Sequence, residues 1–166
     1  LAPATVANLV CGFDVLGMCL NEPNDLMEIK LLDEKKIIII SADGYPLPLD
    51  PAQNTAGAPL MEMINELPGN IGFEVTIHKK IKPGSGIVGA NYLLDDFFSK
   101  EDLVRFAMFG EKVASGVKHA DNIAPCIYGG ITLIRSIHPL DIVPIPAPEL
   151  FVTIVHPQIE VRTSDA

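Results

Sequence analysis

Apolar residues are plentiful in this chain but occur only in short runs, and this limits what it can fold into. They make up 48% of its 166 residues, yet the longest unbroken aliphatic run covers only residues 37–40. A helix needs about 20 consecutive apolar residues to cross a bilayer, so no spanning helix is predicted. The pattern instead predicts short amphipathic elements around a sizeable core, as one domain or one domain with a piece of another.

Charge and cysteine content narrow the class of protein. The chain has 21 acidic residues against 12 Lys and Arg, a formal net charge of −9, and no block of five or six cationic residues, so a nucleic-acid surface is not expected. Its apolar start lacks the basic residues of a signal peptide. Three cysteines without ligand spacing indicate neither a disulfide framework nor a zinc site. We expect no nucleic-acid or membrane partner and a reducing, cytoplasmic location.

Strands are predicted where apolar residues alternate with polar ones or where β-branched residues cluster. These segments are 26–32, 36–41, 73–78, 130–135 and 151–155. A turn at residues 33 and 34 would join the first two into a hairpin. Pro144, Pro146 and Pro148 predict an irregular connection before the last strand.

Helices are predicted between these strands. The first begins at an Asn54 or Thr55 cap and runs through residue 67, and two more cover about 88–98 and 101–115. An approximate capping box at 99–102 opens the last of these, and Gly116 closes it. Strands and helices mix without a strict βαβ repeat, which favours the α+β class.

Glu111 and the loop after it are the first candidates for chemistry. By helical spacing Glu111 shares a face with Val104, Ala107, Met108 and Ala114, where a carboxylate is costly unless paired. It is either a helix-edge residue that reaches solvent or a metal ligand. The loop of His119, Asp121 and Asn122 is equally open to two interpretations, a helix cap or a ligand site.

Two further segments carry isolated polar groups or a glycine turn. Asn8 and Asp14 interrupt a long apolar segment, either to satisfy backbone groups in a turn or to form a site. The sequence Gly84, Ser85, Gly86 follows a predicted strand and precedes a predicted helix, a context that suits anion binding but also occurs in ordinary turns. It matches neither the Rossmann nor the Walker pattern.

The combination of these segments resembles the homoserine kinases, which belong to the GHMP small-molecule kinases. The resemblance is carried by PATVANLVCGFDVLG at 3–17, NTA at 54–56, GSG at 84–86 and GEKVASGVKHADN at 110–122. It implies transfer of the γ-phosphoryl group of ATP to the hydroxyl of L-homoserine, on the route to threonine, by an enzyme that uses Mg²⁺. It also suggests a homodimer.

The resemblance further implies a fold and a set of site residues. The fold would be α+β, with residues 1–136 as a domain like the second domain of ribosomal protein S5 and 137–166 as the start of an incomplete second domain. Asn8, Asp14 and His119 would bind the substrate, Asp121 and Asn122 would bind it and serve the reaction, and Glu111 would bind magnesium. On the nucleotide side would lie Asn54, Gly84, Ser85 and Gly86. Phosphoryl transfer needs positioning more than covalent chemistry, so we favour orientation of the hydroxyl over its deprotonation.

Two departures from the family pattern matter. The Gly/Ser-rich phosphate loop that should follow Gly86 is missing between residues 87 and 88, and a serine expected to share the magnesium is missing with it. The chain also stops one residue before an expected arginine. We therefore expect a discontinuous portion of a longer protein that is inactive by itself. The alternatives are a GHMP-fold kinase for another small alcohol and a non-catalytic module of the same fold.

Overall fold

A six-stranded sheet with packed helices forms the structure, a computed structural model that describes residues 1–44, 46–80, 90, 92–153 and 155. In chain order the elements are β1 (Ala2–Ala7), β2 (Leu16–Leu32), β3 (Ile37–Gly44), a 3₁₀ turn (Pro51–Gln53), α1 (Gly57–Glu66), β4 (Gly72–Lys79), α2 (Lys100–Ser115), α3 (Ile123–Tyr128), β5 (Ile131–Ile137) and β6 (Leu140–Ile145). The predicted α+β class is confirmed.

The order of the strands differs from the predicted hairpin. The sheet runs β3-β4-β2-β5-β6, with β1 paired to the first part of β2. β4 lies between β2 and β3, antiparallel to the first and parallel to the second, so a hairpin of β2 and β3 is wrong. A parallel pair needs a crossover connection, and α1 supplies it between β3 and β4.

The last part of the sheet was also predicted incorrectly. The connection predicted to be irregular from Pro144 onward instead begins inside β6, where Pro144 pairs with Thr132. An edge strand tolerates proline because one side of its backbone needs no partner. Residues 151–153 and 155 are not in a strand, and Phe151 is 95% exposed. Alternation alone does not make a strand without a neighbour to pair with.

The signals at the ends of α2 are confirmed. Ser99 and Asp102 form a reciprocal capping box, and Gly116 has the left-handed conformation that ends the helix. The helix predicted at 88–98 is wrong over 93–98, which form turns with Asp95 and Asp96 at φ 53°. The part at 88, 89 and 91 lies outside the described residues. α3 was not predicted, because a six-residue helix is too short to show periodicity.

The core lies between the helices and one face of the sheet. Phe73, Val75 and Ile77 of β4 are almost fully buried there, together with Leu60 of α1 and Phe106 of α2. Burial of each such side chain contributes roughly 1.5 to 3 kcal/mol.

A buried ion pair closes the far end of β4. Lys79 donates to Asp25 of β2, both side chains are 2% exposed, and the backbone N–H of Lys80 donates to the same carboxylate at 2.7 Å. These two contacts therefore tie the C-terminal end of β4 to β2. Among the described residues, no helix has the length and apolar character needed to cross a membrane.

Candidate active site

The C-terminal half of α2 carries Glu111 to the edge of the core. Val104, Ala107 and Met108 form a buried stripe on the helix, and Glu111 follows them as a half-buried residue. Ala114, predicted on the same face, is exposed because the last turn of the helix extends past the core. The helix then ends at Gly116, and the chain turns back toward Asp121.

The electrostatics of Glu111 link it to the following loop. Burial raises the pKa of the Glu111 carboxyl, the negative charge of Asp121 raises it further, and the hydroxyl of Ser115 and a protonated His119 oppose these effects. A cation close to two carboxylates that repel each other would favour the charged form of both.

Asp121 is the most buried polar group of this loop. It is 2% exposed and lies two residues before the start of α3. Burial raises the pKa of its carboxyl, the backbone N–H groups of Asp121 and Asn122 and a protonated His119 lower it, and the charge of Asp14 raises it. The charges of His119 and Asp14 therefore both act on the Asp121 carboxyl, although Asp14 is distant from it in the sequence.

The loop between β1 and β2 holds Asp14 at this site. Asn8 and Asp14 both adopt left-handed backbone conformations at φ 58°, and the Oδ1 atom of Asn8 accepts the backbone N–H of Asp14 at 2.8 Å. The predicted turn, in which Asn8 satisfies a backbone group, is thus confirmed. Both residues are exposed, so Asp14 also remains accessible to a ligand.

Asn122 lies beside Asp121 but is exposed, and β1 contacts its side chain. The hydroxyl of Thr5 on β1 donates to the Oδ1 atom of Asn122 at 2.9 Å. Asn122 does not cap α3 with its side chain. Thr5 was not among the predicted site residues, although it is a hydroxyl in the same apolar segment as Asn8. Only the position of β1 brings it to Asn122.

Asn54, predicted on the nucleotide side, precedes Thr55, whose carbonyl lies against Gly110 of α2. Asn54 is 2% exposed, its Nδ2 atom donates to the carbonyl of Pro48 at 2.7 Å, and its Oδ1 atom accepts the N–H groups of Ala56 and Gly57 at 2.8 and 3.2 Å. The predicted N-cap at Asn54 or Thr55 is wrong, because Ala56 is the N-cap, although the Asn54 side chain accepts the first N–H groups there. Gly84, Ser85 and Gly86 lie outside the described residues.

Glu111 is the candidate ligand for magnesium. Within the part of the chain that the structure describes, no three His, Cys, Asp or Glu side chains are grouped to hold a metal ion. Magnesium is commonly bound by one or two carboxylates, with waters and substrate phosphates as the other ligands. Glu111, with Asp121 as a like-charged neighbour, fits that type of site.

Comparison with known proteins identifies the class of the fold. A crystal structure of homoserine kinase from Cytophaga hutchinsonii matches with a TM-score of 0.78 and 41% identity, over 89% of this chain and 51% of that one. A mevalonate kinase from Methanococcus jannaschii matches with a TM-score of 0.60 and 17% identity over 88% of this chain and 55% of that one, which shows the fold alone. The chain has the fold of the GHMP small-molecule kinases.

Within that class, the chain is a relative of the homoserine kinases. It is 42% identical to homoserine kinase from Chlorobium phaeobacteroides over 189 residues and 39% identical to that from Methanococcus vannielii over 178 residues. Each match covers 99% of this chain and 59% of the relative, so the chain spans about three fifths of these relatives. No family model matches the chain.

The length of these matches indicates an internal gap. Both extend over more residues than the 166 of the chain. The relatives therefore have residues, within the matched span, that have no counterpart here. The position predicted for the missing loop, between residues 87 and 88, lies outside the described residues, so its absence there stays a prediction.

Proposed function

We propose that the full-length protein transfers the γ-phosphoryl group of ATP to the side-chain hydroxyl of L-homoserine, giving O-phospho-L-homoserine for threonine biosynthesis. The observation that carries this proposal is the identity of about 40% to homoserine kinases. The electrostatic influence of Asp121 on Glu111, and of His119 and Asp14 on Asp121, supports it. Small-molecule sites of this kind combine an apolar wall with a few convergent polar groups.

The acidic side of the cluster suits the amino group of the acceptor. Asp14 is exposed on its loop and electrostatically coupled to the buried Asp121, so an ammonium ion placed between them would relieve their repulsion. Asn8 holds the backbone of Asp14, and His119 lies within the same field. Homoserine carries such an ammonium group, whereas mevalonate and sugars carry none.

Glu111 is the residue that would hold magnesium, together with the phosphates of ATP. When bound, the ion would neutralise charge on the transferred phosphoryl group. The raised pKa of Glu111 from burial and from Asp121 supports this assignment, since the carboxylate then gains more from a cation than an exposed one would. On the nucleotide side we place Asn54 and the turn of Gly84, Ser85 and Gly86.

Asp121 and Asn122 would orient the attacking hydroxyl. An alcohol is far less acidic than a carboxylic acid, so a carboxylate removes its proton poorly before the bond forms. In a loose transition state the proton can leave late, and alignment of the oxygen then limits the rate. Asn122, exposed and held by Thr5, is suited to this role.

The wider organisation is part of the same proposal. Residues 1–136 would form a first domain and residues 137–166 the start of a second, and the sheet continues past this boundary to Ile145. We also propose a cytoplasmic homodimer.

An acceptor comparison tests the proposed function. Release of ADP by the full-length protein would be measured with ATP, Mg²⁺ and equal concentrations of L-homoserine, mevalonate or galactose. We expect homoserine to be preferred by at least about 100-fold in kcat/KM, because the other two lack an ammonium group for the acidic cluster. Preference for another alcohol would replace the acceptor, and no turnover with any of them would favour the non-catalytic module.

A further inference from the structure

The turn that carries Asp121 and Asn122 is supported directly by the sheet. In the register of the strands, Gly17 of β2 pairs with Ala7 of β1 on one side and with Thr132 of β5 on the other. Asp121 precedes α3, which packs against these strands. The centre of these three strands therefore contacts the turn of Asp121 and Asn122.

Gly17 makes the closest approach. A Cβ atom added there would lie 1.7 Å from the carbonyl oxygen of Asp121 and 2.9 Å from the Cγ atom of Pro125. The first distance is far inside van der Waals contact and involves backbone, which cannot rotate away as a side chain can. The backbone of Gly17 is ordinary strand, so glycine is required for its lack of a side chain and not for its conformational freedom.

Thr5 provides the second support. It lies two residues before Ala7 on β1, and its hydroxyl reaches the Asn122 side chain at 2.9 Å. The bond joins residues 117 positions apart in the chain, so it reports on tertiary structure and not on local turn formation. With Oδ1 bound to Thr5, the Nδ2 group of Asn122 is left to donate toward a ligand.

We propose that Gly17 and Thr5 are positioning residues for the phosphoryl acceptor. Gly17 sets the height of the turn above the sheet, and Thr5 sets the orientation of the Asn122 amide. Neither touches the substrate, and both act through Asn122 on the alignment of the acceptor hydroxyl. This proposal rests on the proposed function and names the groups that align its acceptor.

The kinetic test uses Thr5→Val, which keeps the shape and removes the hydroxyl, and Thr5→Ser, which restores it. For Thr5→Val we expect kcat/KM for homoserine to fall about 5- to 10-fold, the effect of one lost hydrogen bond, with KM for ATP within about twofold of wild type. Thr5→Ser should recover most of the loss. Thr76→Val, the same change at a half-buried residue of β4, is the matched control and should leave kcat/KM unchanged.

A spectroscopic readout keeps the proposal independent of the reaction. The side-chain amide resonances of Asn122, identified by their loss in Asn122→Asp, should shift in Thr5→Val and Gly17→Ala and stay in place in Thr76→Val. Gly17→Ala should also lower kcat/KM for homoserine by about 100-fold, since a small misplacement of an aligned group is costly. If Gly17→Ala does not fold, the Thr5 variants decide.

Two results would overturn the inference. One is a Thr5→Val protein with wild-type kinetics for homoserine and unshifted Asn122 resonances. The other is an equal loss in Thr5→Val and Thr76→Val. If the wild-type protein does not phosphorylate homoserine, the proposed function fails, and the resonances alone then decide whether Thr5 and Gly17 position the turn.

Discussion

At the scale of single residues, Glu111 is a carboxylate that burial and a neighbouring negative charge both destabilise. It follows a stripe of buried apolar residues on α2, and its pKa is raised by burial and by the charge of Asp121. A carboxylate that gives up hydration beside another negative charge is tolerated when a cation compensates it. Loss of that carboxylate should therefore reduce activity more than stability.

We expect Glu111→Gln to lower kcat for homoserine phosphorylation by about 100-fold or more, because one preorganised electrostatic contact in such a site contributes that much. Steady-state kinetics on the full-length protein measure this, with Glu101→Gln on the same helix as control. Glu101 is exposed and accepts the hydroxyl of Tyr128, a bond that glutamine can keep. Equal activities of the two variants would remove Glu111 from the active centre.

The pKa of Glu111 also predicts a pH dependence of stability. Since its pKa in the folded protein lies above its ordinary value of 4.5, the folded state binds the proton more tightly than the unfolded state does. The Glu111 contribution to stability is therefore most favourable below pH 4.5 and is lost as the pH rises through the folded pKa. The Glu111→Gln variant cannot ionise at this position, so its stability does not fall for this reason as the pH rises.

Urea unfolding without divalent cations, at about pH 4 and about pH 8, tests this difference. The free energy of unfolding of Glu111→Gln should exceed that of wild type at the higher pH, and the excess should shrink at the lower pH. An excess that does not change with pH would show that ionisation of Glu111 costs the fold nothing.

At the scale of elements, the start of α1 depends on one buried side chain. Asn54 makes three hydrogen bonds to the backbone and takes the place of a capping residue, since Ala56 at the helix start has no side-chain bond to offer. The same side chain bridges the loop at Pro48 to the helix.

Asn54→Ala should lower the free energy of unfolding by about 1 to 2 kcal/mol, the usual cost of a lost cap. Thermal or urea unfolding would measure it against Asn65→Ala, an exposed asparagine of the same helix, which should change stability little. A loss of the same size in both variants would mean that the hydrogen bonds of Asn54 do not explain the result.

The elements also show how far the sequence could be read. The capping box at Ser99, the end of α2 at Gly116 and the strand at β4 depend on neighbours in sequence, and they were predicted. The insertion of β4 between β2 and β3, and the strand across Pro144, depend on pairing with distant segments. Local pattern carries no information about which partner a strand finds.

The candidate site divides in the same way. Asn8, Asp14, Glu111, His119 and Asp121 could be proposed because they interrupt apolar segments or follow a helix end. The contact of Thr5 with Asn122 could not, since it depends on the register of β1 against β2. Nor could the closeness of Gly17 to Asp121, which requires the height of the turn above the sheet.

At the scale of the whole molecule, the described residues have a fold shared with the GHMP small-molecule kinases. The sheet brings the β1–β2 loop and the end of α2 to one place, where Asp14, Glu111, His119 and Asp121 interact. The relatives are longer than this chain, which covers 59% of their length. Activity is therefore a property to be measured on the full-length protein.

Identification of the product by ³¹P NMR is the most direct test of the central claim. The full-length protein would be given L-homoserine, ATP and Mg²⁺, with a parallel sample lacking homoserine. The account predicts one phosphomonoester, O-phospho-L-homoserine, formed in equal amount to ADP and only when homoserine is present. ADP accompanied by inorganic phosphate alone, or no ADP at all, would contradict it.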